Sequence, residues 1–218
     1  MIPAFLLIFA WLGNSPDATN GTSQQTPRRG VLDVVVFYAD APKDLDRYPA
    51  QVREELRQFM DRARAYRPRP RPARVGSERQ MDYNAREGYE GKLAAAASVA
   101  SASRLAQQYV DALRPCYEWE GFHDCPEREA VFAEQHLRDR PDTPFRDVLR
   151  LLTAHRWLCT SEAYEYEKKP AEARRARASY EEALKLASAS RSLLMTVAAG
   201  ELETSGRCYA TDPFLKRN

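Results

Sequence analysis

Residues 67–79 read RPRPRPARVGSER, and no other stretch limits the folding of this chain as tightly. Proline at every second position fixes φ and removes backbone donors, so the run excludes helix and predicts an extended, polyproline-like strut. On both sides of it the pattern is helical. Upstream, Val52, Leu56, Phe59, Met60 and Ala63 recur at helical spacing among Arg, Glu and Asp, and Pro49 suits a first helical turn. Val31 to Ala39 (VLDVVVFYA) is the one strand-like run. A single strand makes no sheet, which leaves an extended segment laid on helices, or the first turns of a helix.

Downstream, Asp82 to Arg114 contains no proline and is rich in Ala and Ser, and Pro115 ends it. Asp124-Cys125-Pro126-Glu127 is a helix start with Asp124 as cap and Glu127 three residues on. That helix carries Ala130, Ala133 and Leu137 on one face and closes near Arg140-Pro141. Thr143-Pro144 opens the next, with Val148, Leu152, His155, Cys159, Ala163 and Tyr166 along one stripe. Lys168-Lys169-Pro170 breaks it, a further helix begins at Ala171, and LLMTVAAGELE is helical in character up to Gly206. The expected fold is therefore all-α: antiparallel helical hairpins or a bundle of at least five helices, with a short N-terminal extended segment. The expected divisions are a signal peptide over 1–18, a linker over 19–30, an N-terminal segment with one amphipathic helix over 31–66, the strut over 67–80, a helical-hairpin domain over 81–210 and a tail over 211–218.

Ala176, Tyr180, Ala183, Leu184 and Leu186 (in ARASYEEALKLA) resemble the second helix of a tetratricopeptide repeat, over about a dozen residues. The resemblance implies a helical-hairpin binding scaffold. The sequence departs from that family in the preceding helix, where Tyr164 stands in place of its glycine, and no repeat of the family's length recurs.

The chain has 218 residues, 33 basic and 31 acidic, with 44% hydrophobic residues. That balance excludes a histone-like nucleic-acid binder, and the apolar content argues against wholesale disorder. No apolar run approaches the roughly 18 residues of a membrane-spanning helix. Nine glycines include no phosphate-cradling loop and no G-x-S-x-G. The expectation is no cofactor, no metal and no nucleic acid, with another protein as the partner.

Ile2 to Leu12 (IPAFLLIFAWL) followed by a small, polar stretch has the layout of a secretory signal peptide. It is atypical in lacking Lys or Arg before the apolar block. Cleavage after Ala18 would leave a mature terminus near Thr19, in a secreted, periplasmic or envelope location. Cys116, Cys125, Cys159 and Cys208 form an even set with no C-x-x-C spacing, as a disulfide framework in an exported protein would. Cys116 and Cys125, close in sequence, should pair, which leaves Cys159 with Cys208. Were the helix from Ala171 to run on to Glu203, Cys208 would lie about 50 Å from the turn at Pro170, and Cys159 only about 15 Å from it. Disulfide Cα atoms must lie within about 7 Å, so the chain must reverse. The expected break lies between residues 187 and 193, where Ser188, Ser190 and Ser192 compete for backbone hydrogen bonds.

Three groups of residues carry candidate chemistry. The segment CYEWEGFHDC holds Glu118, Glu120 and His123 as weak catalytic candidates, and Tyr117, Trp119 and Phe122 as weak binding candidates. Aromatic faces stack on sugars and carboxylates supply acid–base work, but the same residues serve a stapled helix connection, which is the favoured reading. His155 and Cys159, four apart on a helix, can touch as nucleophile and base or as half a metal site; a core histidine beside a structural cysteine is favoured. The arginines of 67–79 are read as a stiff, solvated linker rather than a phosphate grip. The expected function is that of an exported helical binding or scaffold protein without catalytic activity. Two alternatives stand beside it: an envelope hydrolase acting on glycan or peptide through the Cys116–Cys125 loop, and a structural subunit with its Ala/Ser-rich helix 93–106 buried against another protein.

Overall fold

The computed structural model describes residues 30–37, 41–70, 76–116 and 121–208. Within them the protein is all-helical: α1 (Val31–Phe37), α2 (Ala50–Ala65), α3 (Ser77–Ala96), α4 (Ala102–Leu113), α5 (Asp124–Asp139), α6 (Arg146–Tyr166), α7 (Pro170–Ser188) and α8 (Leu193–Ser205), with one 3-10 turn at Leu45–Arg47. The hub is α6. Its Leu149, Leu151, Leu152, Ala154, Leu158 and Cys159 are all fully buried, because α7 and α5 flank it while α8 and α3 also pack against it. Further round, α2 lies against α3 and α8, and α1 lies on α8.

The strand-like run at residue 31 is helix as far as Phe37; Tyr38 and Ala39 lie outside the described residues. Val31, Leu32, Val34, Val35 and Val36 are all buried, so packing on every side overrides their preference for an extended backbone. Two carboxylates satisfy the opening backbone donors. Gly30 N–H donates to Asp33 Oδ2 at 2.6 Å, and Leu32 N–H donates to Glu201 Oε2 at 2.8 Å. A Cβ on residue 30 would collide with that Glu201 carboxylate, which would have to shift from its bond to Leu32 N–H.

The proline-free stretch from Asp82 to Arg114 is two helices, not one. The chain leaves α3 at Ala96, turns through Ser98 to Ser101 and re-enters helix at Ala102. Arg62 of α2 donates from Nε to the Ala95 carbonyl at 2.5 Å, satisfying an acceptor at the end of α3. Leu93, Ala94, Ala95, Ala102 and Ala106 are buried in the core of this same chain. α3 begins at Ser77, inside the stretch read as strut, and Arg69, although exposed, is engaged with α3 and α4. Its guanidinium bonds Glu90 at 2.6 Å and both oxygens of Asp111 at 2.9 Å, while the Tyr66 hydroxyl also donates to Glu90. Glu90 is 2% exposed, so Arg69 supplies the charge partner of a buried carboxylate.

Two smaller differences concern caps and faces. α5 is capped at His123, which places Asp124 in the first turn, and Glu127 accepts from the Tyr164 hydroxyl at 2.7 Å instead of closing a capping box. On α6 the buried stripe ends at Ala163, and Tyr166 is 78% exposed.

The chain reverses where the cysteine geometry requires. α7 ends at Ser188 and α8 begins at Leu193. Ser190 Oγ accepts from the Ser192 backbone at 3.0 Å, Ser192 Oγ accepts from Met195 N–H at 3.3 Å, and Glu55 of α2 accepts from Leu194 N–H at 3.0 Å. Cys159 and Cys208 are bonded with Cα atoms 4.8 Å apart, as are Cys116 and Cys125 at 5.9 Å. Two disulfides fit an oxidising, extracellular setting. No described helix is long and apolar enough to cross a membrane.

Candidate functional site

The Cys116–Cys125 loop joins α4 to α5. Tyr117, Glu118, Trp119 and Glu120 lie outside the described residues, while Phe122 and His123 lie within them. The backbone turns at Gly121, whose φ of 88° favours glycine. The His123 ring stacks on Tyr164, with centroids 4.2 Å apart, and its Nδ1 lies 2.6 Å from Glu167 Oε1. That same oxygen accepts from the His123 backbone at 3.0 Å, and Lys169 Nζ holds the other oxygen at 2.7 Å. Lys169 first, then His123, hold the Glu167 carboxyl down at about 2. A carboxylate on Nδ1 orients the ring as in a base–orienter pair. Among the described residues, however, no hydroxyl or thiol bonds to His123; its Nε2 lies 3.2 Å from Asp124.

His155 and Cys159 meet in the core, but neither is available for chemistry. Nε2–H donates to the Cys208 carbonyl at 2.9 Å, and Arg156 Nη1 donates to Nδ1 at 2.8 Å, which fixes a neutral ring. Burial, then the Arg156 charge, pushes His155 down to about 3. His155, Cys159 and Cys208 gather within 4.8 Å, but the sulfurs are bonded to each other and both ring nitrogens are engaged. The site offers no thiolate and no free ring nitrogen to hold an ion. Arg156 extends the network, its Nε meeting Glu129 at 2.6 Å, while Glu129 also accepts from Cys116 N–H at 3.3 Å. Burial raises the neighbouring Tyr89 and Tyr109 hydroxyls, and burial followed by Arg156 pushes Lys92 down to about 7. This cluster ties α3, α4, α5 and α6 together beneath the loop.

Two open grooves of about 490 Å³ each lie on the surface. One separates α4 from α5, and its wall is filled by Tyr109 packed edge-on against Phe132 and His136 at 5.1 and 4.8 Å. The other runs over α6 between α5 and α7. Leu137, Ala183 and Leu186 give it apolar walls, and Arg138, Arg146 and Arg150 give it charge. Leu186, the last position of the repeat-like helix signature, is 48% exposed, whereas Ala176, Tyr180, Ala183 and Leu184 of the same signature are buried.

Comparison with protein-family models, with curated proteins and with solved structures finds no match to this chain. The groove and the Glu167 partner of His123 are therefore read from geometry alone. Sequence reasoning missed both. Glu167 stands 44 residues from His123 in a charged helix end, and nothing in that spacing marks it. The arginines carried a weak signal, since Arg146 and Arg150 are four apart on the face of α6 opposite His155.

Proposed function

We propose that this protein is an exported binding module that holds a ligand without turning it over, and that the groove across α5, α6 and α7 is its binding surface. The observation that carries this reading is the groove itself: a concave face with apolar walls and half-buried guanidinium groups, built where α5 and α7 pack along α6. The candidate groups of the loop and the core, His123, Glu167, His155 and Cys159, are each held by partners. Export is supported by the two disulfides and by the apolar block at Ile2–Leu12 ahead of a small, polar stretch. The test is selection of peptides on the folded protein, followed by mapping of amide shifts in an isotope-labelled sample. Shifts gathered at Leu137, Thr153, Ala183 and Leu186 are expected. Shifts gathered at Phe122 and His123 would move the site to the disulfide loop.

A second reading, hydrolysis of glycan or peptide at the Cys116–Cys125 loop, has one observation in its favour, the His123–Glu167 pair. It requires activity on chromogenic glycosides or peptides that Glu167→Gln abolishes at a temperature where the variant is still folded.

A further inference from the structure

The groove over α6 is unevenly charged, and its arginines are underused. Arg146 and Arg150 stand four apart on one face of α6, with side chains 34% and 29% exposed. Among the described residues the one carboxylate within 4.0 Å of either is Asp147, 3.5 Å from Arg146 and 4.0 Å from Arg150, so a single carboxylate is shared at long range by two guanidinium groups. Among the described residues neither arginine makes a side-chain hydrogen bond, and the Nε of Arg146 is buried without an acceptor. A guanidinium presents five N–H donors in a plane that matches a carboxylate. Glu134 across the groove is engaged elsewhere: it accepts from Trp157 Nε1 at 2.6 Å, and its other oxygen lies 3.9 Å from Arg138. On the far wall Leu186 is 48% exposed. Glu182 on the same wall disfavours a uniformly acidic polymer.

We infer that the groove takes an acidic, amphipathic protein segment, with side-chain carboxylates seated on Arg146 and Arg150 and apolar side chains laid on Leu137 and Leu186. The inference rests on the groove being the ligand site. The arginines fix register and suppress neutral or basic competitors, while the apolar wall supplies area.

Fluorescence anisotropy of the full chain with a labelled peptide of Glu, Leu and Ala tests this, against the same peptide with every Glu replaced by Gln. The Glu peptide should bind about tenfold more tightly at low salt, an advantage that falls as salt is raised. Arg146→Gln with Arg150→Gln should erase the advantage and leave the Gln peptide unchanged. Arg150→Gln alone, together with the salt series, keeps the test valid if the double variant melts early. Leu186→Ser should weaken both peptides. Equal binding of the two peptides, still weakened by Leu186→Ser, overturns the acidic occupant and leaves the groove as the site. Binding that ignores all these substitutions removes both readings. If neither peptide binds, the inference is overturned.

Discussion

His155 has a single buried environment with two hydrogen bonds, and its proton chemistry follows from them. The ring is neutral when folded and stays so down to about pH 3, whereas the ordinary histidine value is 6.5. Between those limits the unfolded chain binds a proton that the folded chain refuses, so stability falls as the solution is acidified from pH 6.5 towards 3. The slope for one such group is at most about 1.4 kcal/mol per pH unit. Glu167 works in a lower window: held at about 2 by Lys169 and His123, its stabilisation is complete above its ordinary 4.5 and is lost as pH falls towards 2. Urea midpoints measured from pH 7 to 4 should therefore decline. In His155→Gln, which keeps a donor for the Cys208 carbonyl, that decline should be shallower, while stability at pH 7 drops by about 1–2 kcal/mol. An unchanged slope in the variant would show that the acid sensitivity lies elsewhere. Glu120→Gln, by contrast, should leave the melting temperature where it was.

Among the helices, what the sequence could convey depended on how local each constraint is. Helix starts and stops at Pro49, Pro115, Pro141 and Pro170 are local steric facts, and the described helices obey all four. The reversal near Ser190 was legible because two cysteines and a rise per residue allow little else. The α1 helix stood only as one of two alternatives, since a run of valines becomes helix only when α8 packs against it and Glu201 reaches across to the Leu32 amide. The break after Ala96 was hidden for a related reason: alanine favours helix and no proline interrupts the run, so it reads as continuous, and the end of α3 is met instead by Arg62 and the packing of α2. The candidate site divides in the same way. The Cys116–Cys125 loop declares itself by composition, but Glu167 reaches it from a distant segment, as Arg156 reaches its Glu129 partner, and the groove exists only once three helices are laid side by side. One element-level prediction concerns the strut. Arg69→Ala strips Glu90 of its charge partner and should cost about 1–3 kcal/mol, moderated because Arg69 is itself partly exposed. Arg67→Ala, which gives up hydrogen bonds only to the nearby carbonyls of Arg64 and Tyr66, should be close to silent. Equal effects of the two in thermal melts would mean that the Pro/Arg run is a tether after all.

For the molecule as a whole, compartment and covalent structure stand together. Intact mass of the native protein should place the mature terminus near Thr19, and alkylation without reductant should label no cysteine. Retained Met1 with four reactive thiols would remove the export proposal. A separate consequence follows from the bond between Cys159 and Cys208, which are 49 residues apart. It closes α6, α7 and α8 into a covalent ring, and the exposed Arg191 in the turn between α7 and α8 lies on that ring. Trypsin cutting after Arg191 therefore opens the ring without releasing a fragment: the mass rises by one water, and two pieces separate only when the sulfurs are reduced. Outside a cell, where proteases are met more often than reductants, such a chain can be cut and still remain one molecule.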